Sequence, residues 1–142
     1  MDVSLQITER FDALPEIGAD AIERMLDLVS QEFWGGVREE APVDTGRLAG
    51  SFLLEKRDSL TYAVMTNVEY ALAVHDGTQP HVIEPVSAGA LYWPGAAHPV
   101  RRVHHPGTAG NPFAERAMTR TESRMAEFAE LAVTAAMEAG GL

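Results

Sequence analysis

The chain has 142 residues, 46% of them apolar and 23% charged, with a formal net charge of −10 and no cysteine. That length suits one domain, residues 1–142, with a real hydrophobic core, and the missing thiols exclude disulfides and thiolate metal centres. The start, Met-Asp-Val-Ser-Leu-Gln, lacks the basic and apolar regions of a secretory signal, and no apolar run approaches the roughly 20 residues of a membrane span, so the expectation is a soluble protein made in the cytoplasm, without a membrane partner.

Val3 to Thr8 alternates apolar and polar residues, the period of a short strand. A helix is predicted from Pro15 to Glu40. Its apolar stripe is Ile22, Met25, Leu26, Val29, Phe33 and Val37, and Gly35-Gly36 either bends it or permits close backbone approach. Residues 1–40 carry −7, residues 41–111 carry −1 and residues 112–142 carry −2, so the negative charge gathers on this helical region. Pro42 stops the helix. Asp44, Thr45, Gly46 and Arg47 follow in a turn, where Asp44 or Thr45 can cap and Gly46 can take positive φ.

Strands are predicted at 49–57 and 60–68, joined by a hairpin at Arg57-Asp-Ser. Tyr70 to Asp76 is compatible with a helical turn or an extended segment, and short strands at 81–84, 89–93 and 99–103 are broken by prolines. A closing helix is capped by Asn111, starts at Pro112 and runs to about Ala139 along Phe113, Ala117, Met125, Phe128, Ala132 and Ala135. The order β, long α, several β, long α gives the α+β class: an antiparallel or mixed sheet packed with a long N-terminal and a long C-terminal helix.

Two loop-like segments carry much of the unusual chemistry, Tyr70 to Pro85 and His104 to Phe113. Each holds a Gly-Thr pair, and together they contain four of the five histidines. A zinc site could draw on His75, His81, His104 and His105 with Glu84 or Asp76, but no His-x-x-x-His helix or matching general base is present. Asp44-Thr45-Gly46 matches the loop of aspartic proteases, yet it follows a helix through Ala-Pro-Val rather than an apolar strand, and such an enzyme needs two carboxylates sharing a proton. No Gly-x-Ser-x-Gly elbow or phosphate loop occurs. The chain is therefore expected to be no enzyme and to hold no cofactor or metal.

Arg101-Arg102 with His104-His105 is the basic cluster, and the net charge argues against a DNA-gripping face. Of Tyr92 and Trp93, one is expected in the core and one at an interface. Arg116, Arg120 and Arg124 line one side of the last helix; in an oligomer they could meet the acidic first helix.

Taken in order, Ala41-Pro-Val-Asp-Thr-Gly-Arg-Leu48 and Ser51, then Asn67, Tyr70-Ala71, Val74, Gly77-Thr78, Pro80-His81, Ile83, Pro85 and Ala90-Leu91, then His105-Pro106-Gly107-Thr108, Pro112-Phe113 and Ala117 resemble the HK97 gp10-like family of tail-component or neck proteins of tailed viruses. The resemblance covers roughly residues 15–135. His75-Asp76, Gly35-Gly36 and the doubled His104-His105 depart from the pattern.

The resemblance implies a structural virion protein in the neck or at the top of the tail, joining head to tail or completing the tail. It implies a homo-oligomeric ring, with a hexamer as first choice, docked between a head-closure or adaptor protein and a tail terminator or tail-tube protein. Genomic DNA would pass through its lumen without sequence-specific binding. Interface and loop residues are then expected at Asp44, Thr45, Gly46 and Arg47, at Gly77, Thr78, Pro80 and His81, and at His105, Pro106, Gly107, Thr108 and Phe113. A minor tail-tube component, a metal-dependent protein and a DNA-binding accessory protein are the alternatives.

Overall fold

The computed structural model describes residues 1–5, 18–87 and 89–139, with backbone alone at residues 2–5. Two compact units emerge, Met1–Ala71 with Pro112–Leu142, and Leu72–Asn111. Helices and small antiparallel sheets make the chain α+β, as its pattern predicts.

In the first unit, helix α1 (Ala19–Glu40) is the central element. Its apolar stripe works as predicted: Met25, Leu26, Val29, Phe33 and Val37 are buried, and Ile22 packs at the edge of the core. The Gly35-Gly36 pair does not interrupt the helix. Gly36 is buried, and a Cβ placed on it would lie 3.2 Å from the Ala117 Cβ, so this glycine lets the closing helix approach the α1 backbone. The predicted start at Pro15 and the strand residues beyond Leu5 lie outside the described residues.

The three-stranded sheet has the order β1-β3-β2, all antiparallel, with β1 at Asp2–Leu5, β2 at Leu53–Asp58 and β3 at Thr61–Met65. Leu54 and Tyr62 carry the sheet onto α1, where Tyr62 joins Met25, Leu26, Val29, Phe128 and Ala132 in one cluster. Asp58 closes the β2–β3 turn by accepting the Leu60 N–H at 2.8 Å. Phe52 meets Phe113 edge to face, centroids 5.7 Å apart, and its carbonyl accepts the Trp34 indole N–H at 2.8 Å.

Three stretches differ from the sequence expectation, residues 47–51, the closing helix and residues 89–103, while the segment compatible with a helical turn or an extended form is helical. Residues 47–51 form helix α2 (Arg47–Ser51) instead of opening a strand at 49. Leu48 and Phe52 are buried while Gly50 between them is exposed, which breaks the two-residue alternation of a strand and fits one helical turn. Tyr70 to Asp76 resolves into helix α3, Ala71–Asp76.

The closing helix is two helices, α4 (Phe113–Glu122) and α5 (Met125–Ala139). Thr119, Thr121 and Ser123 each turn a hydroxyl back onto a carbonyl of the preceding turn, at 3.1, 2.8 and 2.6 Å, and such back-bonding bends a helix. Asn111 is not its cap: the Asn111 amide donates to the Val74 carbonyl at 2.9 Å, and Pro112 takes the cap position.

In the second unit, the strand predicted at 89–93 reduces to one bridge, Leu91 with Val100, and the one predicted at 99–103 keeps that bridge and Val103, where a regular strand begins. The unit's regular strands are β4 (Gly77–Thr78), β5 (His81–Ile83), β6 (Val103–His105) and β7 (Thr108–Ala109).

A candidate interaction surface on a two-stranded ribbon

The two Gly-Thr segments are the two legs of one antiparallel ribbon. Gly77 faces Ala109, Thr78 faces Thr108, His81 faces His105, Val82 faces His104 and Ile83 faces Val103. The offset is constant, since every pair of residue numbers adds to 186. On that register Pro80 stands opposite Pro106 and Glu84 opposite Arg102. Proline has no amide hydrogen, so the ladder lapses between residues 78 and 81 without a change of register. Glu84 and Arg102 extend the ribbon through a salt bridge at 2.6 Å.

Glycine makes the crossing at the ribbon's root possible. Gly77 and Gly107 both have positive φ, 80° and 85°. Gly110 also packs tightly there, with a hypothetical Cβ 2.8 Å from the His75 and Asp76 carbonyl oxygens. The Thr108 amide donates to the Thr78 hydroxyl at 3.1 Å.

His81 and His105 are held by backbone groups. The His81 and His105 rings stack with centroids 4.9 Å apart. His81 donates from Nδ1 to the Gln79 carbonyl at 2.8 Å, whereas His105 Nδ1 accepts the Gly107 amide at 3.0 Å, so the two rings present opposite tautomers at Nδ1. Pro80, His81, Val82, His104, His105 and Pro106 border an open groove of about 390 Å³. Among the described residues no group of three His, Asp or Glu side chains is placed to hold a metal.

At its far end the ribbon turns tightly. The Ala96 amide bonds the Trp93 carbonyl at 3.0 Å, with Pro94 and a positive-φ Gly95 (94°) between them, which is the arrangement of a type II turn. Neither aromatic before that turn is core: Tyr92 and Trp93 are both exposed, contrary to the expectation that one would be buried.

The remaining expected positions belong to the first unit. Asp44, Thr45 and Arg47 are exposed in the loop before α2. Gly46 takes φ 79°, as a left-handed turn requires, and the Thr45 hydroxyl accepts the Arg47 amide at 3.3 Å. The Arg47 guanidinium lies over the Tyr70 ring at 5.6 Å. Phe113 is fully buried against Phe52, so it acts through packing within its own chain.

Arg116 and Arg120 of α4, and Arg124 at the break between α4 and α5, meet the acidic first helix of their own chain. Arg116 bonds Glu40 at 2.8 Å, Arg120 bonds Glu39 at 2.7 Å, and Arg124 bonds Glu32 at 2.7 Å and Glu127 at 3.0 Å. The Arg116 hydrogen bond holds the Glu40 carboxyl below its ordinary value, and the Arg124 hydrogen bond does the same for Glu127. Lys56 answers Glu23 at 2.6 Å and Asp27 at 3.8 Å.

The sequence profile described as "Bacteriophage HK97-gp10, putative tail-component" matches residues 6–77, half of the chain. The chain belongs to this HK97-gp10-like family. The matched span takes in α1, the Asp44–Arg47 loop, α2, β2, β3 and α3, and it ends at Gly77 where the ribbon begins. No curated protein and no solved structure matches the chain.

Membership makes it a phage tail-component protein. Among the described residues no helix is long and apolar enough to cross a membrane. Sequence reasoning located the ribbon's residues but not their pairing, although the near-mirror order Thr78-x-Pro80-His81 and His105-Pro106-x-Thr108 carried that signal.

Proposed function

We propose that this HK97-gp10-like protein is a non-enzymatic building block of the virion neck, joining head to tail or completing the tail. It works as a closed homo-oligomeric ring, a hexamer to match the sixfold symmetry of tails. Its neighbours are a head-closure or adaptor protein on one side and a tail terminator or tail-tube protein on the other.

The observation that carries this reading is the ribbon. The Nδ1 atoms of His81 and His105 are engaged with backbone and the prolines fix the strand path, so these expected residues serve the ribbon's shape. A rigid ribbon loses little entropy on docking, and a closed ring repeats one heterologous contact around its axis.

Genomic DNA passes through the lumen without sequence-specific binding, consistent with a net charge of −10. The acids of α1 at Glu32, Glu39 and Glu40 are paired with arginines of the same chain, which favours net charge over a bare acidic helix as the source of that repulsion. Imaging intact particles at the head–tail junction tests the reading. A ring of this chain between portal and tail tube is expected. Finding the chain distributed along the tube would favour a minor tail-tube component, and finding none in the particle would reject both.

A further inference from the structure

Each unit offers exposed apolar side chains and an unengaged charge, and the charges are opposite. Among the described residues of the first unit Val43 is the most exposed large apolar one, at 72%, and it sits between Pro42 and Asp44. In the second unit Tyr92 is 68% and Trp93 45% exposed at the type II turn, with Val86 fully exposed. Arg101 follows Val100, the residue bridged to Leu91 at the base of that turn. Among the described residues neither Asp44 nor Arg101 makes an ion pair, whereas Arg102 is engaged by Glu84.

Charge is also partitioned between the units. Residues 72–111 contain Asp76, Glu84, Arg101 and Arg102 and so are neutral, while they hold all five histidines. The whole formal charge of −10 therefore resides on the first unit. Arg101 finds no unengaged carboxylate on another copy's second unit, where Asp76 bonds His75 and Glu84 bonds Arg102, so its complement lies on the acidic first unit.

We propose that the ribbon tip of one copy docks on the Pro42–Arg47 loop of a second copy. Tyr92 and Trp93 cover Val43, and Arg101 pairs with Asp44. Both partners are preorganised for this: Pro94 and Gly95 fix the turn that presents the aromatics, and Gly46 with the Thr45 hydroxyl fixes the acceptor loop. Donor and acceptor are different patches, so the contact is heterologous and can close a ring. The inference rests on the ring reading above and names the contact that would build it.

Sedimentation of the purified full chain over a range of concentrations provides the test. Trp93→Ala is expected to raise the concentration of half-assembly roughly thirtyfold, the size of an interface hot spot. Arg101→Glu and Asp44→Arg are each expected to raise it about tenfold, and the double variant carrying both reversed charges is expected to recover most of that loss. Because the chain has no cysteine, Ala97→Cys and Val43→Cys chains can be mixed and oxidised; a covalent dimer between them is expected, and none between Ala97→Cys and Leu131→Cys chains.

Wild-type assembly that survives all three single substitutions, or reversed charges that fail to rescue, would overturn the contact and leave the ring reading standing. A wild-type chain that remains monomeric throughout also overturns the contact. A particle whose neck holds a single copy sinks both.

Discussion

Gly77 and Gly107 exclude side chains from each other's strand reciprocally: a Cβ on Gly77 would strike the Thr108 carbonyl oxygen, and a Cβ on Gly107 would strike the Thr78 carbonyl oxygen. Each glycine also has a φ that L side chains rarely adopt. Gly77→Ala and Gly107→Ala are therefore each expected to loosen the ribbon by at least about 1–2 kcal/mol from the left-handed backbone alone. Hydrogen exchange checks this. Amides of 81–83 and 103–105 should lose protection while those of α1 keep theirs; unchanged protection in the ribbon would refute the reciprocal fit.

The adjacent glycines of α1 separate two effects that sequence alone merges. Gly35 has open space where a Cβ would stand, whereas the same atom on Gly36 lies 3.2 Å from the Ala117 Cβ. Gly35→Ala should thus stabilise the chain by about 1 kcal/mol through helix propensity. Gly36→Ala gains the same propensity but must push α4 away, and overpacking of this kind costs roughly 1–3 kcal/mol. Thermal unfolding of both variants should order them Gly35→Ala, wild type, Gly36→Ala from most to least stable. The reverse order would remove the proposed reason for a glycine at 36.

What the sequence made legible follows from which forces are local. The α1 stripe and the stripe from Phe113 to Ala132 are set by periodicity within one segment, and both were readable. Position 46 was readable because a glycine between Thr45 and Arg47 signals a left-handed turn. The break at Ser123-Arg124 was not, since it depends on three hydroxyls choosing carbonyls over solvent. The ribbon was half legible: its prolines marked interrupted strands, but its register joins residues up to 32 apart in sequence, from Gly77 to Ala109, across a loop with little periodicity. The salt bridges of Arg116, Arg120 and Arg124 showed the same limit. Their four-residue spacing predicted a shared face, while the partner, α1 of the same chain, required the tertiary fold.

That salt-bridge row sets a pH response. Glu40 and Glu127 have carboxyls held below the ordinary value, Glu40 chiefly by the Arg116 hydrogen bond and Glu127 chiefly by that of Arg124. A carboxyl lowered by folding contributes stability above its unfolded value, near 4.5, and loses it as pH falls through the lower folded value. Stability attributable to these two groups should therefore be constant through neutral pH and decline below about pH 4.5. Exposure limits the size of the effect, and salt should weaken it further. Unfolding midpoints of the wild type and of Glu40→Gln measured from pH 7 to pH 3 check the sign: the two curves should converge in acid. Curves that stay parallel would show that Glu40 does not contribute through its charge.

A directed hydrogen-bond chain ties the end of β3 to α2. The Ser51 hydroxyl donates to the Leu48 carbonyl at 2.6 Å, and it lies 2.5 Å from the Thr66 hydroxyl. Since Ser51 has only one hydroxyl hydrogen, Thr66 is the donor in their mutual bond. Thr66 Oγ1 in turn accepts the Val68 amide at 3.1 Å. Thr66 is buried, so Thr66→Val keeps the shape but leaves the Val68 N–H without its acceptor and Ser51 without its donor. An unsatisfied buried donor costs about 1–3 kcal/mol. Ser51→Ala removes the middle of the same chain, and the double variant should lose less than the sum of the two single losses, because each single change already breaks the Thr66–Ser51 bond. Denaturant unfolding of the four chains measures the coupling directly. Additive losses would mean that the two hydroxyls act independently and that the bond between them contributes nothing to holding α2 against the sheet.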